Sequence, residues 1–255
     1  MNPRISRTGL AVLGSMLLAA FLTSCATTQD DGPRPWQPTK RYQEVLSSET
    51  FLSDHPDMLN RKRAMEELER GKPERAAEYF ERSAYYADKQ SQAAYAEMLW
   101  EGRGMPQDKA AAYAWMDLAA ERNDEFFLGF RERYWRALGE ADRQKAIEIG
   151  QEVYAKYGDD VAKPRIERIL KRALRKTTGS RVGFVGNLTI MIPSPSGLII
   201  VNGDTYYDKR FWEPKQYWQW QKAVLETGRE GKVIVGDFKQ IKKKTSETKP
   251  KPNED

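Results

Sequence analysis

The stretch at residues 91–124 restricts the fold of this chain more than any other feature. It reads as two short helices joined by a turn that contains Gly102, Gly104 and Pro106. Glycine can adopt the left-handed conformation that a tight reversal needs, and proline suits the first turn of a helix. Asp108 supplies a side-chain oxygen that can cap the second helix. The sequence therefore predicts an antiparallel pair of helices with a short connection.

The second helix of this pair places small residues around one large aromatic side chain. Ala112, Trp115 and Ala119 lie three or four positions apart, so they share one face of the helix. Small residues let two helices approach closely while the indole fills the remaining gap, which favours core packing over ligand binding for Trp115. The stretch resembles the Sel-one-like repeat, a helix-turn-helix relative of the tetratricopeptide repeat (TPR). The residues that carry the resemblance are Gly102, Gly104, Met105, Pro106, Asp108, Ala112, Tyr113, Trp115, Ala119 and Ala120.

A second, weaker copy of the pattern stands before this pair. Residues 73–84 repeat the small–aromatic–small spacing with Ala77, Phe80 and Ala84, and residues 60–70 would form the partner helix. Two units are fewer than the three or so that a repeat array needs, so later helices should complete the stack. These are expected at about 125–138, 141–156 and 161–175. The resemblance implies a mainly α fold: a right-handed α-α superhelical array with a concave binding surface.

The N-terminus has the pattern of a bacterial export signal. Two arginines and no acid precede an apolar run at 10–22, which is shorter than the roughly 20 residues of a membrane-spanning helix. The run ends in Leu-Thr-Ser-Cys25, which resembles the lipobox of bacterial lipoproteins. The resemblance implies removal of residues 1–24 and acylation (palmitate among the acyl chains) of Cys25; the alternative is an ordinary cleaved signal with an accidental cysteine. Ala26, in place of the aspartate that retains lipoproteins in the inner membrane, favours an outer-membrane anchor that faces the periplasm.

The rest of the chain changes character at about residue 177. Short β-branched runs at 188–192 and 198–201, with others at 182–185 and 233–235, predict strands. Residues 214–225 predict one helix that ends before Gly228. The expected organisation is therefore a signal peptide at 1–24, a flexible tether at 25–40, a helical repeat domain at 41–176, a small β-rich domain with one helix at 177–241 and a disordered tail at 242–255.

Composition removes several classes of function. The chain has one histidine, His55, and one cysteine, Cys25. With Cys25 acylated, no thiol remains for a disulfide or a nucleophile, and one histidine cannot build the usual zinc site. The formal charge of +5 falls to +3 once Arg4 and Arg7 leave with the signal, which is too mild to indicate nucleic acid binding. We therefore predict no catalysis, no cofactor, no metal and no nucleic acid partner.

One tripeptide deserves a separate interpretation. His55-Pro56-Asp57 is the tripeptide of Hsp40 J-domains, but that motif follows a basic helix, and residues 42–54 contain no lysine or arginine. We therefore expect Pro56 simply to open a helix.

Two sets of aromatic residues are candidates for binding. Tyr86, Trp100 and Arg103 are not needed for the repeat core, so they could border one accessible surface for a polypeptide. In the C-terminal region, Trp212 and Trp218 belong to a dense aromatic group that could stack on the sugars of peptidoglycan, or could simply form a core. The sequence thus predicts a non-catalytic envelope scaffold or adaptor with an unidentified protein partner. Cell-wall binding is the alternative, and an enzyme of unknown type comes third.

Overall fold

The computed structural model describes residues 38–176, 188–194 and 197–230, so the signal segment, Cys25 and the C-terminal tail lie outside it. Within these ranges the chain is mainly α-helical with one antiparallel β-hairpin, as predicted. None of the helices there has both the length and the apolar character needed to cross a membrane. The elements are α1 Lys40–Ser47, α2 Glu49–Leu52, α3 Pro56–Glu69, α4 Pro73–Ala84, α5 Lys89–Glu101, α6 Lys109–Ala119, a 3-10 turn Ala120–Arg122, α7 Glu125–Ala137, α8 Glu140–Tyr157, α9 Asp159–Lys176, β1 Thr189–Ser194, β2 Gly197–Asn202, α10 Gly203–Tyr206, α11 Lys209–Trp212 and α12 Pro214–Glu230.

The predicted helix pair is present as α5 and α6. Gly102 ends α5 in the left-handed conformation, with φ of 68°. Asp108 begins α6, and its side chain accepts a hydrogen bond from the backbone N–H of Ala111 at 2.9 Å. The weaker copy forms the pair α3 and α4, which starts at Pro56 rather than at residue 60. Both local turn signals therefore have the structural effect that the sequence predicts.

Gly104 connects the two helix pairs. Its φ is 76°, and a Cβ atom built there would lie 2.4 Å from the carbonyl carbon of Pro73, the first residue of α4. Only glycine has no Cβ, so only glycine allows the turn of the second pair to sit against the start of α4. The second glycine of the turn is thus required by packing between units as well as by its own backbone conformation.

The predicted core positions of both pairs are buried. Trp115 has 6% of its surface exposed, and the small residues on the same face of α6 have essentially none. In α4, Phe80 holds the corresponding place. The indole of Trp115 contacts the rings of Tyr95 and Tyr157, at centroid distances of 4.6 and 4.5 Å. The core-packing interpretation of Trp115 is therefore confirmed.

The three later helices, α7, α8 and α9, occupy the predicted ranges to within two residues at each end. Their apolar stripes face the core, with Val153 and Tyr157 of α8 buried against α6 and with Ile166 and Leu170 of α9 buried in a different cluster. The helices α7 and α8 therefore continue the packing of the array, whereas α9 packs with the C-terminal elements.

The C-terminal region contains fewer described strands than the sequence predicts. β1 pairs with β2 in an antiparallel hairpin, with Ile190 opposite Val201. The runs at 182–185 and 233–235 lie outside the described residues. The helix predicted for 214–225 continues to Glu230, so the expected end before Gly228 is wrong. A single glycine costs a helix about 1 kcal/mol, which the remaining turns of α12 tolerate.

The C-terminal elements pack against both ends of the predicted repeat domain. Their buried residues share one hydrophobic cluster with α1, α2 and α9. The Tyr42 hydroxyl of α1 donates a hydrogen bond to the Asp208 carboxylate at 3.0 Å. The predicted boundary at 177 falls between described segments, but the side chains on its two sides form a common core. The members of that core are Val45, Phe51, Leu52, Ile166, Leu170, Ala173, Ile192, Val201, Tyr206, Phe211, Trp212, Tyr217 and Trp220.

Candidate functional site

A cleft of about 620 Å³ lies between the repeat helices and α12. The starts of α5 and α7 and the 3-10 turn form one wall, α12 forms the other, and two residues of α3 lie at its base. We call it the α12 cleft. It gathers side chains that are distant in sequence, which is the usual setting of a binding site. Its principal side chains are Asp57, Arg61, Asp88, Lys89, Arg122, Phe127, Lys163, Trp218 and Leu225.

Two residues other than glycine with a left-handed backbone lie at this cleft, and of the two Ala87 is the strained one, because asparagine adopts this conformation readily. Ala87 has φ of 64° and Asn123 has φ of 58°, and these are the positive-φ residues other than glycine within the described part of the chain. Both of them line the α12 cleft. An alanine in this conformation is uncommon and costs roughly 1–2 kcal/mol. Strained residues cluster at functional sites, so the backbone points to the same place as the side chains.

The base of the cleft is a buried polar group. Asp57 is 1% exposed, and its Oδ2 accepts a hydrogen bond from the Tyr217 hydroxyl of α12. Arg61 forms an ion pair with Asp88, which also caps α5 by accepting from the N–H of Ser91 at 2.7 Å. The other carboxyl oxygen of Asp57, Oδ1, has no hydrogen-bond partner among the described residues. A buried oxygen in this state is costly, so it is a candidate acceptor for a bound donor.

The protonation of Asp57 is set by its neighbours. Burial raises the pKa of the Asp57 carboxyl above its usual range, and the charge of Asp88 acts in the same direction. His55, the hydrogen bond from Tyr217 and the charge of Arg61 oppose this shift without cancelling it. A cation brought close to Asp57 would therefore favour the ionised form and release a proton.

A second buried polar group forms the side of the cleft. The Lys89 ammonium donates to the Leu118 carbonyl at 2.9 Å and to Glu121 at 2.6 Å, and it lies 3.2 Å from Asp159. Arg122 contacts both carboxylate oxygens of Asp159, at 2.8 and 2.9 Å. Burial lowers the pKa of Lys89. Burial raises the pKa of the Asp159 carboxyl group. The hydrogen bonds from Arg122 and the positive charges of Arg122 and Lys89 lower it by more, so its pKa lies below the usual range.

Trp218 forms part of the α12 wall. Its indole is half-buried, and its N–H donates a hydrogen bond to the Glu167 carboxylate at 2.9 Å. The Arg122 guanidinium and the Lys163 ammonium lie 4.8 and 5.3 Å from the ring centroid. The ring is thus held rigidly by contacts to α9 and the 3-10 turn, which is what an anchoring residue of a binding site requires.

Comparisons with known proteins give a limited result. No family model and no curated protein matches the chain. Among solved structures, part of the chain is similar to a protective antigen present in uropathogenic Escherichia coli strains, which displays an SLR (Sel1-like repeat) fold. The identity is 21% and the TM-score 0.38, over 52% of this chain and 27% of the antigen. The present chain therefore spans about a quarter of that protein's length.

His55 is a core residue. It is fully buried and stacks on Phe51 with ring centroids 3.9 Å apart. Its Nδ1 lies 2.9 Å from the Phe51 carbonyl oxygen, and its Nε2 lies 2.9 Å from the carbonyl oxygen of Phe211 in α11. Burial lowers the pKa of His55. Both ring nitrogens face backbone carbonyl oxygens inside the core, so the His-Pro-Asp tripeptide is no exposed docking loop here, and Pro56 opens α3 as expected.

The structure does not bring the three predicted binding residues together. Trp100 is half-buried and stacks on Tyr134, with centroids 4.0 Å apart and planes 8° apart. Arg103 is also half-buried and lies in the α5–α6 turn. Tyr86 lies before the start of α5 and packs against the cluster of the C-terminal elements, whereas Trp100 lies near the end of α5. Their role in binding stays a prediction, but a single surface shared by all three is not what the fold provides.

The two candidate glycan-binding residues have different environments. Trp212 is 1% exposed, and its N–H donates to the Tyr206 carbonyl at 2.7 Å. A ring this deeply buried packs the core and offers no face to a sugar. Trp218 lies at the α12 cleft, where its ring contacts two cations. The dense C-terminal aromatic group is therefore mainly core, in line with the simpler of the two interpretations.

The polar groups of the cleft are the residues that the sequence analysis missed. Asp57 meets Tyr217 and Lys89 meets Asp159 only because distant helices pack together. The one local signal was Asp88, which precedes a helix and caps it. Within the described residues, no group of three or more His, Cys, Asp or Glu side chains is arranged to hold a metal ion. Binding through hydrogen bonds and ion pairs is the chemistry that this site offers.

Proposed function

We propose that the protein is a non-catalytic envelope lipoprotein, anchored to the outer membrane through acylated Cys25 and facing the periplasm. Its helical repeats act as a scaffold that binds a segment of another envelope protein in the α12 cleft. The observation that carries this proposal is the coincidence at one cleft of the Trp218 indole, held by contacts on two sides, with the strained backbone of Ala87.

The contents of the cleft favour binding over catalysis. A general base must have a free lone pair within reach of the substrate. His55 does not line the cleft, and both of its ring nitrogens face backbone carbonyl oxygens at 2.9 Å. Lys89 is fully occupied by acceptors in the protein. What remains is the Asp57 carboxyl group, whose Oδ1 can accept a hydrogen bond from a ligand, beside the Trp218 anchor ring and its apolar neighbours. An aromatic anchor with a few polar groups is the composition of a protein-binding hot spot.

Site-specific photo-crosslinking in living cells tests the binding proposal. A photoreactive phenylalanine replaces Gln219, an exposed residue of the cleft, and in a control strain it replaces Gln144, an exposed residue of α8. We expect a discrete polypeptide adduct from position 219 that is absent from position 144 and is lost on Trp218→Ala. Identical adduct patterns at both positions, or none at 219, would contradict binding in the cleft.

The anchor has a separate test. Cys25→Ser removes the thiol that a lipoprotein acylates, so labelling with a radioactive fatty acid should disappear and unprocessed precursor should accumulate. Cys25 is the one cysteine of the sequence, so no other thiol can substitute for it. A wild-type protein that is wholly soluble and whose N-terminal peptide has no acyl mass would contradict the anchor and leave the cleft proposal intact.

A further inference from the structure

We propose that the occupant of the α12 cleft is positively charged: a polypeptide segment that places a lysine or arginine side chain against Asp57. This inference rests on the proposed function, because it names the chemistry of the segment that the cleft would bind. It is supported by the pairing of the cations, the unpaired acidic atoms and the apolar wall of the cleft. It predicts in addition that binding is coupled to protonation of Asp57.

Each cation of the cleft is already paired with a carboxylate, although Lys89, Arg122 and Lys163 share the two carboxylates of Glu121 and Asp159. Every lysine and arginine that lines it contacts at least one carboxylate of the protein. An acidic ligand would therefore have to compete with an ion pair of the protein at each of these cations, which weakens its attraction to the cleft. The pairs are Arg61 with Asp88, Lys89 with Glu121 and Asp159, Arg122 and Lys163 with Asp159, and Lys222 with Glu226.

Two carboxyl groups of the cleft, in contrast to its cations, have an oxygen or a charge without a partner among the described residues. Asp57 Oδ1 is buried without a hydrogen-bond donor among the described residues. Glu125, an exposed residue at the start of α7, lines the same cleft and forms no ion pair within the described part of the chain. A ligand with a positive charge would satisfy the first atom and approach the second. Such complementarity decides the specificity of an interface.

The apolar wall suits a long basic side chain. Phe127 is buried, and Leu225 and the Trp218 ring lie nearby along the cleft. Lysine and arginine have aliphatic stems that pack on apolar surface while their charged ends bind elsewhere. A side chain that packs its stem on this wall would place its charged end close to the Asp57 carboxyl group, which lines the same cleft.

Proton release gives a second readout. Asp57 faces His55, Asp88, Arg61 and Tyr217, and its pKa is raised, chiefly by burial. A bound ammonium group and a proton therefore compete for this carboxyl group. Binding should strengthen as the pH rises through the Asp57 pKa, and at a pH low enough for the free carboxyl group to be protonated it should release a proton to the buffer. A ligand held only by apolar contacts would show neither effect.

The experiment uses three blocked seven-residue peptides that differ at the central position alone. Lysine is compared with norleucine, which keeps the stem without the charge, and with glutamate. Binding to the full-length protein in detergent is measured by calorimetry in two buffers of different ionisation enthalpy. We expect the lysine peptide to bind roughly 10- to 100-fold more tightly than either of the others, the range for a hydrogen bond to a charged group.

Variants of the protein test whether the preference for the lysine peptide depends on the acidic residues of the cleft. Asp57→Asn keeps the shape and an acceptor for Tyr217 but removes the charge, so it should abolish the preference for lysine. Glu140→Gln, a change at a side chain that is 94% exposed on α8, is the control and should have no effect. If Asp57→Asn fails to fold, Glu125→Gln, at an exposed position, replaces it and should weaken the preference by a smaller factor.

The outcomes separate this inference from the proposed function. Equal binding of the three peptides would overturn the charge preference while leaving polypeptide binding in place. A lysine preference that survives both acidic-residue variants would place the charge recognition elsewhere and would also overturn the inference. No binding of any peptide, together with no adduct from position 219 in cells, would overturn both proposals.

Discussion

The helix pair α5–α6 and the α12 cleft differ in how far apart their determining residues lie in the sequence. In the pair, Gly102, Gly104 and Asp108 act on residues only a few positions away. In the cleft, Asp57 binds Tyr217, a residue of the last described helix. The pair could therefore be predicted from local pattern, whereas the cleft exists only because the C-terminal elements return to the first helices.

The largest expected effect tests whether the C-terminal elements and the repeats form one folding unit. Trp212 is as buried as the repeat core and packs against α2, so Trp212→Ala should lower the free energy of unfolding by about 3–5 kcal/mol. Trp115→Ala in the repeat core is the matched variant and should cost a similar amount. Both should melt in one cooperative transition followed by circular dichroism. A separate early transition in Trp212→Ala alone would make 177–241 an independent domain.

The second prediction tests the role of the turn glycine Gly104 in the α5–α6 pair. Gly104→Ala should cost roughly 3 kcal/mol, because the new methyl group meets the Pro73 backbone and the residue has positive φ. Gly71 has nearly the same φ, but a Cβ there meets nothing within 4 Å. Gly71→Ala should therefore cost only about 1 kcal/mol, the backbone strain alone. Chemical denaturation of both variants measures the difference, and equal costs would show that the contact between units is absent.

The third and smallest effect concerns pH and the contact between α2 and α11. Burial lowers the pKa of His55 below the 6.5 of a free histidine, so the unfolded chain takes up this proton first. The stabilising contribution of His55 is then fully present above about pH 6.5 and decreases as the pH falls, by at most about 1.4 kcal/mol per pH unit.

The stability difference between wild type and His55→Gln should accordingly shrink from pH 7.5 to 5.5. Because His55 is the one histidine of the chain, its imidazole signals can be followed by NMR without assignment. A titration midpoint at or above 6.5 would contradict the prediction and indicate a charged imidazolium that donates to both carbonyl oxygens.

Features that depend on residues close in sequence could be predicted, and features that depend on distant residues could not. The caps, the turn glycines and the Trp115 face could be predicted because each depends on residues within one or two helical turns. The stacking of Trp100 on Tyr134 could not be predicted, because Tyr134 belongs to a later helix that the repeat pattern does not specify. The end of α12 was also missed, since a glycine stops a helix only where the following residues favour another conformation.

The cleft residues could not be found from the sequence for a physical reason. Lys89 and Asp159 look like ordinary surface charges, and only the packing of α5 against the start of α9 buries them together. The aromatic residues near the C-terminus are conspicuous in the sequence. Their number alone does not distinguish a hydrophobic core from an exposed surface that stacks on sugars. Burial separates them: Trp212 lies inside and Trp218 lies at the cleft.

Native-state hydrogen exchange tests most directly the claim that α12 is fixed on the repeats and forms a wall of the cleft. Amides in the middle of α12, around Tyr217 and Trp220, should exchange with the same free energy as those around Trp115 in α6, because both are exposed only by global unfolding. Amides of α12 that exchange through a much smaller opening free energy, while those of α6 stay protected, would contradict the account and remove the structural basis of the cleft.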